Sequence, residues 1–375
     1  MKKILIVYSS GGMGHVTAAR AVEQAFKNKY PAVEVKNVDI VSFANRLYRK
    51  AFVEGYNMIS AKKPELWGWL YSQFKKPSNQ KLPSLISRLA IEKRFIPFVL
   101  EFKPDFIIST HPLPMVIISR SKEKKVVDIY SSIVMTDFGV HSFWVSQEVN
   151  YYFVANEVVS DGLEQLGVSS DKIIVLGIPI ELKFAAELDK EQLCKKFGLN
   201  SKLPTVLIVG GQFDFVAMEN IIEGVRKKHD DQVQFIVVAG RDKYLKADLD
   251  NSDLHSKPNI KVFGFVDNMH ELMTVSDLIF TKAGGLTVSE CMAKKLPMVI
   301  NKVIPGQEED NVDFLVSRGA AVKADNFNGI IEAVNDLIAY PDKLERMKKA
   351  AGEIGKPNSA TALADFVYNK ISKSS

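Results

Sequence analysis

Twelve short runs of β-branched and aromatic residues, each closed by a turn signal and most followed by a stretch of helical spacing, constrain this chain more than any other feature. The first six cover 3–8, 33–38, 106–109, 131–135, 151–155 and 173–176; the second six cover 205–209, 233–239, 260–265, 278–281, 297–300 and 320–323. The runs are continuously apolar instead of alternating, which indicates strands of parallel sheets buried on both faces. The fold class is therefore α/β. A chain of 375 residues exceeds a comfortable single core, so two domains are expected. The first is assigned to 1–180 and the second to 200–355, with the connection near 178–200. A polar stretch from Leu182 to Gly198 reads as helical within that connection. The segment 359–373 is also helical and is a candidate to pack back on the first domain.

At 46% hydrophobic and 25% charged residues the composition is that of an ordinary globular protein. The net charge of +5 is too small to argue for a nucleic-acid partner, and none is expected. Cys194 and Cys291 are too far apart in sequence to suggest a disulfide framework or a metal cluster, and they suit a reducing compartment. The apolar run after Lys3 stops at Ser9, too short for a signal peptide, and no later stretch reaches the length of a membrane span. The expected location is cytoplasmic, with peripheral attachment to the inner face of the cell membrane. That attachment is read from residues 46–94, which hold eleven basic residues against three acidic ones, a local excess of +8. Trp67, Trp69, Tyr71 and Phe74 interleave with those cations, as an anionic lipid surface would favour. The competing reading is a solvated basic face with core aromatics.

Several loops at strand ends carry candidate chemistry. The first strand runs into Ser9-Ser10-Gly11-Gly12-Met13-Gly14-His15, where glycines admit a ligand close to the backbone and a helix N-terminus favours negative charge. It is not the G-x-G-x-x-G of a nicotinamide enzyme. His111 follows the strand FIIS, and Asp137, His141 and Trp144 follow SSIVM, so three of six histidines stand just beyond strand ends where open α/β sheets bind ligands. Each of the three taken singly is as well read as structural. His229, His255 and His270 read as surface or capping residues. In the second series, Gly284 and Gly285 open a helix through Leu286, Thr287 and Glu290, whose N-terminal amides suit a diphosphate. Gly211 offers a second phosphate contact, and the loop holding Gln307, Glu308 and Asn311 is dense in groups that bind sugar hydroxyls or, alternatively, cap a helix. Asp248-Leu249-Asp250 is the only D-x-D and does not follow a strand.

Six of these segments, SSGGMGH, STHP, TDFGVHSFW, GIPI, KAGGLTVSE and IPGQEEDN, span almost the whole chain in order. Together they resemble the bacterial diacylglycerol glucosyltransferases and plant monogalactosyldiacylglycerol synthases. The transferase that adds N-acetylglucosamine to the peptidoglycan lipid precursor is a more distant relative, similar at GGLTVSE. The resemblance implies a GT-B fold, two Rossmann-like domains with parallel sheets facing across a cleft. The first would hold a diacylglycerol acceptor, with Gly12, Gly14, His111, His141, Trp144, Trp67 and Trp69 lining its site. The second would hold a UDP-sugar, with Gly211, Gly284, Gly285, Leu286 and Thr287 at the diphosphate, Glu290 at the ribose, and Gln307, Glu308 and Asn311 at the sugar or its phosphates. Phe265 and Val266 match the segment that holds uracil. Arg241, in Ala-Gly-Arg-Asp, departs from the Gly-Lys-Asn common in relatives.

The implied activity is inverting transfer of glucose or galactose from a UDP-sugar to diacylglycerol, with no cofactor and no essential metal. His15 is the lead general base and Asp137 its rival. The competing readings are a transferase acting on the peptidoglycan lipid precursor, a UDP-sugar epimerase without a lipid partner, and a non-enzymatic UDP-sugar sensor.

Overall fold

A computed structural model describes residues 1–45, 81–146, 148–210, 214–301 and 308–373. Trp67, Trp69, Gly211 and Gln307, and the basic segment up to residue 80, lie outside the described residues, as does the side chain of His255.

Each expected strand forms, with ends shifted by at most two residues. The first sheet contains β1 (Lys3–Tyr8), β2 (Glu34–Asp39), β3 (Phe106–Ser109), β4 (Tyr130–Val134), β5 (Tyr151–Val154) and β6 (Ile173–Val175), in the spatial order β2-β1-β3-β4-β5-β6. The second contains β7 (Thr205–Val209), β8 (Gln234–Val238), β9 (Ile260–Phe263), β10 (Leu278–Thr281), β11 (Met298–Ile300) and β12 (Ala321–Lys323), in the order β12-β11-β10-β7-β8-β9. Every pairing is parallel. Central strands such as β3, β8 and β10 are buried along their whole length, which is why their sequences are apolar without alternation.

In each sheet the strand order reverses at one point, between β1 and β3 in the first and between β7 and β10 in the second. Crevices beyond the carboxyl ends of such reversals are where open α/β sheets take ligands. The loops from β1 and β3 carry His15 and His111; the loop from β10 carries Gly284 and Gly285.

The stretch from Leu182 to Gly198 differs from its expected single helix. It is a short 3-10 turn, Leu182–Ala185, and a separate helix, Lys190–Phe197. The break has a local cause: Asp189 accepts hydrogen bonds from the amides of Glu191 and Gln192 and so starts a new helix, while Ala186 is extended. Gly198 ends it in the left-handed conformation that glycine adopts without strain, at φ 64°.

The final helix, Ser359–Lys373, lies on the first sheet. Its face of Ala360, Leu363, Ala364, Val367 and Ile371 joins Ile4, Ile6, Phe106 and Phe153 in one buried cluster. Tyr368 stacks on Tyr30 with ring centroids 3.9 Å apart, and Asp365 accepts from the Tyr30 hydroxyl and the Lys29 ammonium, each at 2.7 Å. Between the two sheets the apolar core is continuous, and Phe138 from the first half stacks on Phe314 from the second at 5.1 Å.

Candidate active site between the two sheets

The loop after β1 reaches the first helix, Met13–Lys29, through Gly12, whose extended backbone offers no side-chain cap. His15 follows in the first turn. Its Nδ1 lies 2.6 Å from the Thr110 carbonyl oxygen, beyond β3, and 3.1 Å from the Thr136 hydroxyl, beyond β4. The Thr110 hydroxyl in turn donates to the His15 carbonyl at 2.9 Å. One imidazole is thus fixed by the ends of three neighbouring strands. A carbonyl oxygen only accepts, so Nδ1 carries the proton and Nε2 carries the lone pair. His15 keeps part of its surface, but packing around the ring desolvates the cationic form and pushes its pKa down to about 4, against a smaller upward pull from the Thr110 carbonyl.

His111 caps the helix Pro112–Glu123, its Nδ1 accepting from the Leu113 amide at 3.1 Å. Its ring meets that of His15 edge to face, with centroids 4.8 Å apart at 83°. Burial holds its pKa well below the usual histidine range, and His15 adds to this. His141 plays a different part: it is buried, stacks on Phe143 at 4.7 Å, and accepts from the Phe143 amide at 3.2 Å. In this way it caps the turn that carries Trp144, whose buried ring stands 6.3 Å from that of His15. Two of the three strand-end histidines therefore meet, and the third braces their neighbour. Asp137 is half-buried, between Thr136, which touches His15, and Phe138.

On the second sheet, the helix Gly285–Ala293 starts at Gly284 with no side-chain cap and no acidic residue in its first turn. Its leading amides therefore keep the capacity to bind an anion. Thr287 lies in that first turn, and its hydroxyl has no protein hydrogen-bond partner among the described residues. The helix start presses against the first half. A methyl group at Gly285 would run into the Thr136 carbonyl oxygen, and one at Gly14 would stand 3.3 Å from a Leu286 methyl. The loop of His15 and the start of this helix are thus neighbours across the interface. One turn along, desolvation pushes the Glu290 carboxyl up to about 8, with Glu181 adding repulsion and Lys183 pulling weakly the other way.

Asn311 and Glu308 are placed differently from a sugar-facing loop. Asn311 is fully buried; its Oδ1 accepts from the Phe138 amide at 2.8 Å and its Nδ2 donates to the Ala283 carbonyl at 2.7 Å. That carboxamide brackets the two halves, because both of its ends are taken by backbone. Glu308 is buried and lies 3.4 Å from the Lys282 ammonium. Phe265 is exposed, with the Arg241 guanidinium 4.9 Å from its ring centroid, and Val266 packs partly on the core. The Lys183 ammonium donates to the Asp267 carbonyl at 2.6 Å, tying the connection between the halves to this segment. Asp250, of the D-x-D, pairs with Lys246. His270 is not a free surface residue: its ring meets Phe184 at 6.0 Å and its Nδ1 is buried.

Sequence reasoning missed Thr110 and Thr136 as partners of His15, although both stand in motifs already singled out. It also missed the bracketing role of Asn311, for which the local sequence holds no signal.

Known proteins resemble this chain over its whole length. The profile described as monogalactosyldiacylglycerol (MGDG) synthase matches residues 15–180, and that of the glycosyltransferase family 28 C-terminal domain matches residues 205–365. The processive diacylglycerol beta-glucosyltransferase of Bacillus subtilis (strain 168) is 31% identical over 377 aligned residues, covering 98% of this chain and 95% of the relative. Among solved structures, Acinetobacter baumannii MurG matches with a TM-score of 0.65 at 14% identity, over 98% of this chain and 100% of that one. UDP-GlcNAc 2-epimerase from Neisseria meningitidis, bound to UDP-GlcNAc, matches at 0.63 and 15%, also over 98% and 100%. Those two likenesses speak for the fold, which is GT-B. The family rests on the full-length identity and the profile match: the chain belongs to the family of diacylglycerol glucosyltransferases and monogalactosyldiacylglycerol synthases.

Proposed function

We propose that this protein transfers glucose or galactose from a UDP-sugar to the hydroxyl of diacylglycerol, with inversion at the anomeric carbon and no essential metal. The observation that carries the reading is the adjacency of the His15 loop and the uncapped helix start at Gly285. An inverting transfer needs a base on one side of the sugar and a stabilised leaving group on the other.

In this reading the diphosphate lies on the amides of Gly284, Gly285, Leu286 and on the Thr287 hydroxyl, where fixed dipoles meet the charge that develops as UDP departs. Glu290 holds the ribose; with a pKa raised to about 8 its carboxyl is protonated at neutral pH, able to donate to one hydroxyl and accept from another. The backbone of Phe265 and Val266 holds the base, and Gln307 and Gly211 complete the donor contacts. His15 is the general base, its lone pair on Nε2, neutral at pH 7 and ready to take the acceptor proton. Asp137 is its rival. Gly12, Gly14, His111 and Trp144 line the acceptor side, with Trp67 and Trp69 in the lipid-facing segment.

The test is incubation with diacylglycerol vesicles and each UDP-hexose, with and without a chelator, followed by mass spectrometry of the lipids. A glycosylated diacylglycerol formed equally well in chelator is the expected product. Consumption of UDP-sugar without lipid would instead favour an epimerase. For the membrane partner, converting Lys62, Lys63, Lys75 and Lys76 to Ala should weaken binding to anionic vesicles, roughly 1 kcal/mol per cation near the surface. Binding unchanged by all four would remove the basic segment from the account.

A further inference from the structure

The two imidazoles that meet at the rim of the first sheet are held in opposite tautomers. His15 has its Nδ1 against the Thr110 carbonyl, which fixes the proton on Nδ1 and leaves Nε2 as an acceptor. His111 has its Nδ1 accepting from the Leu113 amide, which fixes the lone pair on Nδ1 and the proton on Nε2. Both constraints come from backbone groups, whose donor or acceptor character cannot change. Neither Nε2 has a protein hydrogen-bond partner among the described residues, and neither is sealed from solvent. The rings stand edge to face at 4.8 Å, so the ring with the unpartnered acceptor and the ring with the unpartnered donor are direct neighbours. His141 shares the helix-capping use of Nδ1, but it is buried and stacked on Phe143.

An alcohol is the group such a pair fits, because a hydroxyl has one proton to give and lone pairs to receive. We propose that His111 is a second catalytic histidine: its Nε2–H donates a hydrogen bond to the oxygen of the acceptor hydroxyl while His15 Nε2 accepts that hydroxyl's proton. The proposal rests on the transferase reading but not on which alcohol is the acceptor. In the transfer step the O–H bond breaks and its proton goes to His15 Nε2. The acceptor oxygen forms a bond to the anomeric carbon with its second lone pair, and the bond from that carbon to the diphosphate breaks, with UDP taking the electron pair. His111 keeps its proton throughout. It fixes which lone pair of the oxygen faces the sugar, and it stabilises negative charge on that oxygen as the proton leaves. Both rings are desolvated enough to stay neutral at working pH, which this division of labour requires.

Two substitutions separate this role from helix capping. His111→Asn keeps a side-chain acceptor for the Leu113 amide, since Asn is a favoured N-cap, but removes the distal N–H. His111→Gln carries an amide N–H out towards the lost Nε2 position and gives up the cap. The expected result is that His111→Asn melts at the wild-type temperature and binds UDP normally, yet transfers on the order of 10²-fold more slowly, the effect typical of one lost catalytic donor. His111→Gln is expected to melt earlier and transfer faster than the Asn variant. Wild-type transfer by His111→Asn would overturn the proposal; so would activity that follows melting temperature across both variants. A readout independent of any acceptor is nitrogen NMR on histidine-labelled full-length protein, assigned with His15→Gln and His111→Asn. Protons on Nδ1 of His15 and Nε2 of His111 are expected, and a shared tautomer would overturn the pair. If the wild type glycosylates no diacylglycerol, the proposed acceptor fails while the NMR result still decides the pair.

Discussion

His15 is held from two sides in the crevice. Its partners, Thr110 and Thr136, come from two different strand ends. His15→Ala removes the proposed base without touching the helix at Gly285, so transfer should fall by 10²-fold or more, the usual scale for a lost general base. UDP affinity by calorimetry should stay within a factor of two or three, since the proposed UDP site is on the other half. Equal loss of both would make the residue structural. Glu290 gives a pH prediction of definite sign. The fold holds its carboxyl protonated up to about 8, whereas an unfolded chain ionises it near 4.5, so this group withdraws stability as pH rises between those values. Glu290→Gln should therefore melt above the wild type at pH 8 and alongside it at pH 4, while binding UDP more weakly. Histidines and acids beyond strand ends are legible in a sequence, because parallel strands deliver their loops to one rim. The bracket made by Asn311 was not legible: its partner Phe138 is 173 residues away, and nothing nearby marks a carboxamide as shared between two halves.

Among the elements, the helix Gly285–Ala293 shows how packing overrides propensity. Alanine is the better helix former by up to about 1 kcal/mol in a helix interior. At position 285 that gain opposes a collision with the Thr136 carbonyl oxygen across the contact between the two halves. Gly285→Ala is therefore expected to lower the melting temperature and to lower kcat tenfold or more. Gly284→Ala, whose added carbon would meet nothing among the described residues nearer than the Lys282 side chain at 3.7 Å, is the steric control for the melting measurement. A kcat unaffected by Gly285→Ala would mean that this close contact is not needed for turnover. Strands were readable because burial on both faces forces long β-branched runs, and here even their ends came within two residues. The stretch 182–198 was harder, since a helical spacing of polar residues does not reveal that Asp189 restarts the helix.

For the molecule as a whole, the final helix matters most. Leu363 is fully buried against the first sheet, so Leu363→Ala should cost about 2–5 kcal/mol. Chemical denaturation should show that loss as a lower midpoint, most clearly in signals from the first half. A variant as stable as the wild type would mean that the helix adds little to that core. The same packing has a consequence for biosynthesis. A ribosome delivers residues 359–373 only after the entire second sheet has emerged, and until then the cluster around Ile4, Ile6, Phe106 and Phe153 lacks the part of its cover that the last helix provides. The half that is translated first is thus the half that is finished last. During that interval a nascent chain presents a water-exposed apolar surface for chaperones to shield, while the second half, contiguous in sequence, can already close on itself.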